Sequence, residues 1–157
     1  MKRKLIQALY LLIILLSLVA CDPDKVIDEY HNINNSSWDI DSVQKFTFSI
    51  FRKDQVHNFY FNIRNDRSYE FCNLWLFVTI EPPRGESKTD TVQVMLADPS
   101  GKWLGKGFSG IYDNRWMYMS NVYFPETGNY SVLLRHGMRP TRLKGITDVG
   151  IRVEKVN

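Results

Sequence analysis

Apolar and polar side chains alternate along most of the chain after Trp38, and a period of two residues predicts β-strands. Every second side chain is apolar in residues 46–50, 59–63 and 92–96. In residues 74–80 both sets of alternate positions are mostly apolar, which predicts a strand that is covered on both faces. Further apolar runs that predict strands occur at residues 116–124, 130–134 and 149–153.

Turn-forming residues separate these runs, and Asp98-Pro99-Ser100-Gly101 matches the residue preferences of a type I turn. No stretch of twelve or more residues after Trp38 keeps the period of an amphipathic helix. We therefore predict an all-β domain. An antiparallel β-sandwich of about seven to nine strands, of which a jelly roll is one variant, fits this spacing.

The first twenty residues differ from the rest of the chain. Lys2, Arg3 and Lys4 precede an apolar run that holds no charge up to Ala20, which is typical of a secretory signal peptide. Leu18-Val19-Ala20-Cys21 resembles a bacterial lipobox, whose cysteine receives a diacylglycerol and becomes the first residue after cleavage. We expect lipid attachment at Cys21. The alternatives are an ordinary signal peptide with a chance cysteine and a single-pass membrane anchor.

This assignment divides the 157-residue chain into three parts. Residues 1–20 are the predicted signal peptide, and residues 21–37 are the lipidated cysteine followed by a polar, flexible tether. Residues 38–157 are the predicted β-sandwich domain. A flexible tether of about 16 residues would hold the domain roughly 20 Å from the lipid.

The formal net charge of +3 belongs to the signal peptide. Three of the 20 basic residues lie there, so the basic and acidic residues that remain are equal in number. A balanced exported domain is a poor match for nucleic acid. With Cys21 acylated, Cys72 has no intramolecular partner, and its apolar surroundings predict a buried free thiol.

No catalytic or metal-binding constellation is evident, so we predict neither an enzyme nor a cofactor. His31, His57 and His136 lack the spacing of metal ligands, and the glycines of residues 105–110 lack the dinucleotide-binding pattern. Aspartates at the turns could gather around calcium, but capping of those turns is the simpler interpretation. A hydrolase would need acidic or histidine side chains to converge on one pocket.

Aromatic residues are abundant, at 13% of the chain. Trp75, Trp103, Tyr112, Trp116 and Tyr118 could form an aromatic surface that stacks on sugars, and Trp103, Trp116 and Tyr118 are the candidate members that we single out. The alternative is that these rings fill the core, as aromatic residues of all-β domains usually do.

Basic residues cluster late in the chain, around Gly137-Met138. We consider this cluster a candidate partner-binding loop, with an ordinary solvated loop as the alternative. Its members are Arg135, His136, Arg139, Arg142 and Lys144.

An ordered set of residues behind the lipobox resembles the gliding-motility lipoprotein H family of Bacteroidetes-type bacteria. The resemblance implies a non-enzymatic component of the gliding apparatus, tied to type IX secretion and located in the outer membrane. It assigns no catalytic residues. The residues that carry it are Trp38, Asp41, Tyr60-Phe61-Asn62-Ile63-Arg64-Asn65, Tyr69, Asn73-Leu74, Asp90-Thr91, Leu96-Ala97-Asp98, Gly101, Trp103, Gly105, Gly107, Phe124, Gly128, Tyr130, Gly137-Met138-Arg139, Leu143, Gly145-Ile146 and Asp148-Val149-Gly150.

The function expected from the sequence is therefore that of a lipid-anchored structural or adaptor protein. Its expected contacts are the membrane, through Cys21, and other envelope proteins of the gliding and secretion apparatus. The alternative function is a surface glycan-binding lipoprotein that uses an aromatic face of the sandwich.

Overall fold

Eleven β-strands form the domain in the computed structural model, which describes residues 22–156. The prediction of an all-β domain is confirmed. The predicted signal peptide, residues 1–20, and the predicted lipid attachment at Cys21 lie outside the described residues. The strands are β1 (Lys25–Asn32), β2 (Ser37–Asp39), β3 (Gln44–Ile50), β4 (Val56–Asp66), β5 (Asn73–Glu81), β6 (Lys88–Met95), β7 (Lys106–Phe108), β8 (Ile111–Tyr123), β9 (Gly128–His136), β10 (Arg142–Lys144) and β11 (Ile146–Lys155).

Two antiparallel sheets pack face to face, which is the predicted β-sandwich. The five-stranded sheet has the order β1-β11-β4-β8-β7, and the four-stranded sheet has the order β3-β9-β5-β6. β2 and β10 pair as a separate two-stranded ribbon, and a 3₁₀ turn, Asn34–Ser36, joins β1 to β2. Among residues 22–156 no helix has the length and apolar character needed to cross a bilayer.

Side chains from both sheets meet in one hydrophobic core. Phe59 and Phe61 of β4 and Leu76 and Leu134 of the opposite sheet have no exposed surface. Phe48 of β3 crosses the interface, with its ring centroid 6.5 Å from that of Phe59. Each such side chain contributes about 1.5–3 kcal/mol when it is fully buried. The alternation seen in the sequence therefore places one apolar face of each sheet against the other.

The segment predicted as a flexible tether is largely part of the sandwich. Residues 25–32 form β1, which pairs with β11 over its length, and Ile27 and Ile33 are buried in the core. The structure thus corrects the expected boundary, because ordered chain begins well before Trp38. An edge strand is held by backbone hydrogen bonds, which polar and apolar residues form equally well, and it exposes much of its surface to solvent. Its polar composition therefore resembles that of a linker.

The long strands run between two ends of the sandwich that carry different groups. The described chain begins at the proximal end, where the backbone N–H of Lys155 donates to the carbonyl oxygen of Asp24 at 2.8 Å. The proximal end consists of residues 22–24, 51–55, 82–87 and 124–127. The opposite, distal end includes residues 33–43, 96–105 and 137–145.

Gly150 of β11 is the position that lets β1 lie against the sheet. It pairs with Tyr30, and a Cβ atom at this position would overlap the carbonyl oxygen of Glu29. Because the obstacle is backbone, rotation of a side chain cannot relieve the overlap. Only a glycine fits here without moving β1.

We expect Gly150→Ala to lower the free energy of unfolding by about 1–3 kcal/mol, the usual cost of overpacking. Amide hydrogen exchange in residues 25–32 should also become faster, because β1 is pushed away from β11. Urea denaturation and exchange mass spectrometry measure the two effects. Gly85→Ala is the control, since nothing lies within 4 Å of a Cβ there, although its φ of 97° adds some backbone strain. Unchanged exchange of β1 in the Gly150 variant would contradict this account.

Candidate functional site

The outer face of the four-stranded sheet carries an exposed apolar surface. Trp75 and Val43 are 38% and 46% exposed, and Phe77 and Leu133 lie beside them, half-buried. Arg135 pairs with Phe77 across the sheet, and its guanidinium carbon lies 5.3 Å from the Phe77 ring centroid. We call these five residues the aromatic strip. The strand expected to be covered on both faces is thus covered on one, and its second face is open.

Two residues after β9 fix the position of Trp75. The backbone N–H of Gly137 donates to the carbonyl oxygen of Trp75 at 2.7 Å, and the N–H of Trp75 donates to Sδ of Met138 at 3.3 Å. A Cβ at Gly137 would lie 3.1 Å from the Phe77 ring, which is tighter than ordinary contact. The glycine therefore lets the chain pass close to the Phe77 ring, where Gly137 and Met138 fix the backbone of Trp75.

The predicted basic loop is divided between two strands and the turn that joins them. Arg135 lies on β9 in the aromatic strip, whereas Arg139 is exposed at the distal end. Arg142 and Lys144 point outward from β10, because Leu143 between them is buried. Arg142 pairs with Asp39 at 3.5 Å. Within the described chain the other three cations, Arg135, Arg139 and Lys144, form no salt bridge.

His136, the remaining member of the predicted loop, is fully buried, which corrects its assignment to a contact surface. Its ring packs edge-on against Trp38, with centroids 5.4 Å apart. Neither ring nitrogen of His136 has a hydrogen-bond partner within residues 22–156, and Nδ1 of the buried His57 also has none. Burial lowers the pKa of both imidazoles below the usual value, since a charged ring would be poorly solvated there.

The three rings predicted to form an aromatic surface pack instead against the core. Trp116 and Tyr118 stack on the buried Phe61, with centroid distances of 6.4 Å and 4.7 Å. Trp103 lies against Tyr69 and Tyr112 at the other end of the sheet. All three are half-buried, so they do not form one open face for stacking on a sugar.

The two most exposed aromatic side chains, Phe51 and Tyr123, are 86% and 61% exposed and were not considered for the aromatic surface. Trp75, which was considered, is 38% exposed. The alternation in β5 indicates that Trp75 faces away from the core, because the buried Leu74 and Leu76 lie on the other face of that strand. Cys72, expected to be buried, is exposed in the turn before β5. Its backbone carbonyl accepts from the N–H groups of Leu96 and Ala97, but its thiol does not reach the core.

The outer face of the five-stranded sheet is covered by a network of paired charges. Arg152 is 11% exposed and donates to Asp22, Asp28 and Glu154 at 2.5, 2.8 and 2.6 Å. Although burial opposes it, hydrogen bonds to these carboxylates raise the pKa of Arg152. Arg115 adds a second contact to Asp28 at 3.3 Å. This face therefore has its charges satisfied within the sheet, unlike the aromatic strip.

A second part of the same network lies beside β8. Arg64 pairs with Asp113 at 3.2 Å and lies over the ring of Tyr30, 4.0 Å from its centroid. The Tyr30 hydroxyl donates to Asp113, and burial together with that carboxylate raises the pKa of Tyr30 to about 12. Within the described residues no three His, Cys, Asp or Glu side chains are grouped so that they could hold a metal ion.

Comparison with known proteins identifies the relatives of this sandwich. The family model described as GldH lipoprotein matches residues 25–153. The chain belongs to the GldH lipoprotein family. The resemblance found in the sequence is thereby confirmed, and the family match begins at the first residue of β1, inside the segment first expected to be a tether.

Two relatives in this family are 36% identical to the chain. The gliding motility lipoprotein GldH homolog of Christiangramia forsetii aligns over 143 residues, 87% of each chain. The gliding motility lipoprotein GldH of Flavobacterium johnsoniae aligns over 152 residues, 92% of this chain and 94% of its own. No solved structure matches the chain. The family match over residues 25–153 includes every residue of the aromatic strip.

The buried histidines generate a prediction about pH. In the unfolded chain an imidazole has a pKa of about 6.5, whereas His57 and His136 are held neutral by burial in the folded protein. Stability should therefore be complete above about pH 6.5 and fall below it, by up to about 1.4 kcal/mol per pH unit for each histidine. Urea unfolding between pH 7.5 and 5.5 measures this slope.

His136→Leu should remove roughly half of that slope, because the variant loses one of the two protons that only the unfolded chain takes up. His57→Leu should act in the same direction, and the double variant should show little dependence on pH in this range. An unchanged slope in the double variant would assign the acid sensitivity to other groups.

Proposed function

We propose that this protein is a lipid-anchored, non-enzymatic adaptor of the gliding motility and type IX secretion machinery, located in the outer membrane. The observation that supports this most directly is the family match over residues 25–153, since both similar relatives are named gliding motility lipoproteins. The adaptor role is supported by the outer surfaces, which offer an exposed aromatic strip and cations for contact with a protein.

The anchor in this proposal is Cys21. It follows Leu18-Val19-Ala20 and directly precedes the described residues, which begin at Asp22. One acyl chain gives only marginal membrane binding, so a diacylglycerol on the thiol and an acyl group on the new amino terminus would provide stable attachment.

The partner in this proposal is another envelope protein of the apparatus, and it binds the aromatic strip. Trp and Arg are the residues most often found at the energetic centres of protein interfaces, and here Trp75 and Arg135 lie on one sheet face. Arg135, Arg139 and Lys144 have no salt bridge within the described chain, so a partner with acidic side chains beside an apolar patch fits this surface.

Cys21→Ser should move the protein from the membrane to the soluble fraction, because serine cannot accept the diacylglycerol. Cell fractionation followed by immunoblotting measures the change. Cys72→Ser is the matched control, since this exposed cysteine lies within the domain and its loss should leave the protein in the membrane. Retention of the Cys21 variant in the membrane fraction would contradict the anchor.

Arg135→Glu combined with Trp75→Ala should abolish gliding and type IX export while protein level and membrane attachment stay normal. Affinity capture of the lipidated protein with mass spectrometry should show at least about a tenfold loss of co-purified machinery subunits, as expected when interface centres are removed. Lys106→Glu, a charge reversal on an exposed residue of β7 in the five-stranded sheet, is the control and should change none of these.

A clean deletion of the gene provides the broader test. The proposal requires loss of both gliding and type IX export in the deletion strain. Restoration by the wild-type chain, but not by the Arg135 and Trp75 variant, would locate the function on the aromatic strip. Normal gliding and export in the deletion strain would overturn the proposed role.

A further inference from the structure

Two exposed aromatic side chains lie at the proximal end of the sandwich. Phe51, in the turn from β3 to β4, is 86% exposed, and Tyr123, at the end of β8, is 61% exposed. These are the largest exposed fractions among the large hydrophobic residues of the described chain. Tyr123 pairs with Val56, directly after the turn that contains Phe51. Solvent-exposed Phe is unfavourable in water, so two such rings at one end mark a contact surface.

The chain that would carry the lipid enters at the same end and is held tightly there. The Asp22 carboxylate accepts from Arg152 at 2.5 Å, and the Lys155 ammonium donates to the carbonyl oxygen of Pro23 at 3.2 Å. Hydrogen bonding from Arg152 also holds the pKa of Asp22 below its usual value. Cys21 is the next residue, and consecutive Cα atoms are about 3.8 Å apart. The lipid would therefore be attached one residue from the proximal end.

The first residues of β1 and the exposed Phe51 border one opening between the two sheets. This cavity, with a volume of about 490 Å³, is lined by residues that include Lys25, Val26, Phe51 and Lys155. The turn that carries Phe51 is tied to the end of the chain as well, because the Gln55 side chain donates to the carbonyl oxygen of Val156 at 3.0 Å. The exposed ring and the point of lipid attachment are thus parts of one connected surface.

Charges at the proximal end are mixed and do not favour an anionic partner. Arg52 pairs with Asp54 at 2.8 Å, and Lys53 pairs with Glu126 at 3.1 Å. Attraction to a surface would therefore come from the rings rather than from net charge. Tyr is enriched where a bilayer meets water, because its apolar ring and polar hydroxyl suit the headgroup region, and Phe supplies apolar surface that is buried at the same boundary.

We propose that the proximal end docks directly on the surface of the bilayer that holds the Cys21 lipid, with Phe51 and Tyr123 inserted among the headgroups. This inference rests on the lipid anchor of the proposed function. Docking gives the domain one orientation in place of the free movement that a flexible tether would allow. The distal end, with Arg139, Arg142 and Lys144, then points away from the membrane. The eleven residues of β4 place it about 35 Å from the bilayer.

The test uses the full lipidated protein in vesicles of phosphatidylcholine and phosphatidylethanolamine. In a Cys72→Ser background, Thr127→Cys carries an environment-sensitive fluorophore, because Thr127 is exposed at the proximal end and both rings stay in place. Leu104→Cys is the matched control, because Leu104 is 58% exposed at the distal end. On vesicle-bound protein, iodide should quench the label at position 127 about threefold less than the label at position 104, since headgroups shield the first site. Phe51→Ser combined with Tyr123→Ser should remove this difference.

Flotation of the vesicles separates the two proposals. Protein that floats, with equal quenching at positions 127 and 104, overturns the docking and leaves the anchor intact. Protein that does not float overturns the anchor, and the docking with it. Adding phosphatidylglycerol should leave the difference in quenching unchanged, whereas shielding that appears only with this anionic lipid would overturn the role assigned to the rings.

Discussion

Backbone hydrogen bonds between β1 and β11 join the start of the described chain to the five-stranded sheet as its edge strand. This pairing places Asp22 beside Arg152 and so fixes residues 22–24 at the proximal end. It also requires Gly150, because any larger residue would collide with the backbone of β1. The position of every outer surface relative to the proposed lipid follows from this one edge pairing, since the sandwich behind β1 is a single packed unit.

The two outer faces of the sandwich differ in whether their side chains have partners within the domain. On the five-stranded sheet, Arg152, Asp28 and their neighbours pair with one another, which leaves little for a partner to recognise. On the four-stranded sheet, Trp75 and Phe77 remain partly open to solvent beside Arg135. Exposed apolar patches beside polar groups are typical of protein interaction sites, because their burial in an interface is favourable. The asymmetry explains why we assign protein contact to the second face.

The proposed division between a membrane end and a contact end follows from the strand directions. In an antiparallel sandwich the turns gather at two ends, and here one end receives the chain from Cys21 while the other presents the β2–β10 ribbon with its cations. A rigid domain with attachment at one end and contact groups at a distance is a suitable form for an adaptor. No enzymatic chemistry is needed for such a role.

Much of the fold could be predicted from the sequence, because the alternation in segments such as 46–50 and 59–63 is local and one face of each strand must be buried. Strands β2, β7 and β10 could not be predicted in this way, since three residues are too few to display a period. The family resemblance was also accessible, as its residues are spread along the whole chain.

Only the tertiary structure decided which alternate positions face the core and which stay open. Trp116 and Tyr118 lie on the inner face of β8, whereas Trp75 lies on the outer face of β5, a difference that depends on sheet pairing rather than on residue type. His136 is buried because Trp38, remote in sequence, packs against it. The sequence by itself determined the strands, the class of fold and the family. Long-range pairing determined the edge strand β1 and the surfaces available for contact, because hydrogen bonds between distant backbone segments leave no local pattern.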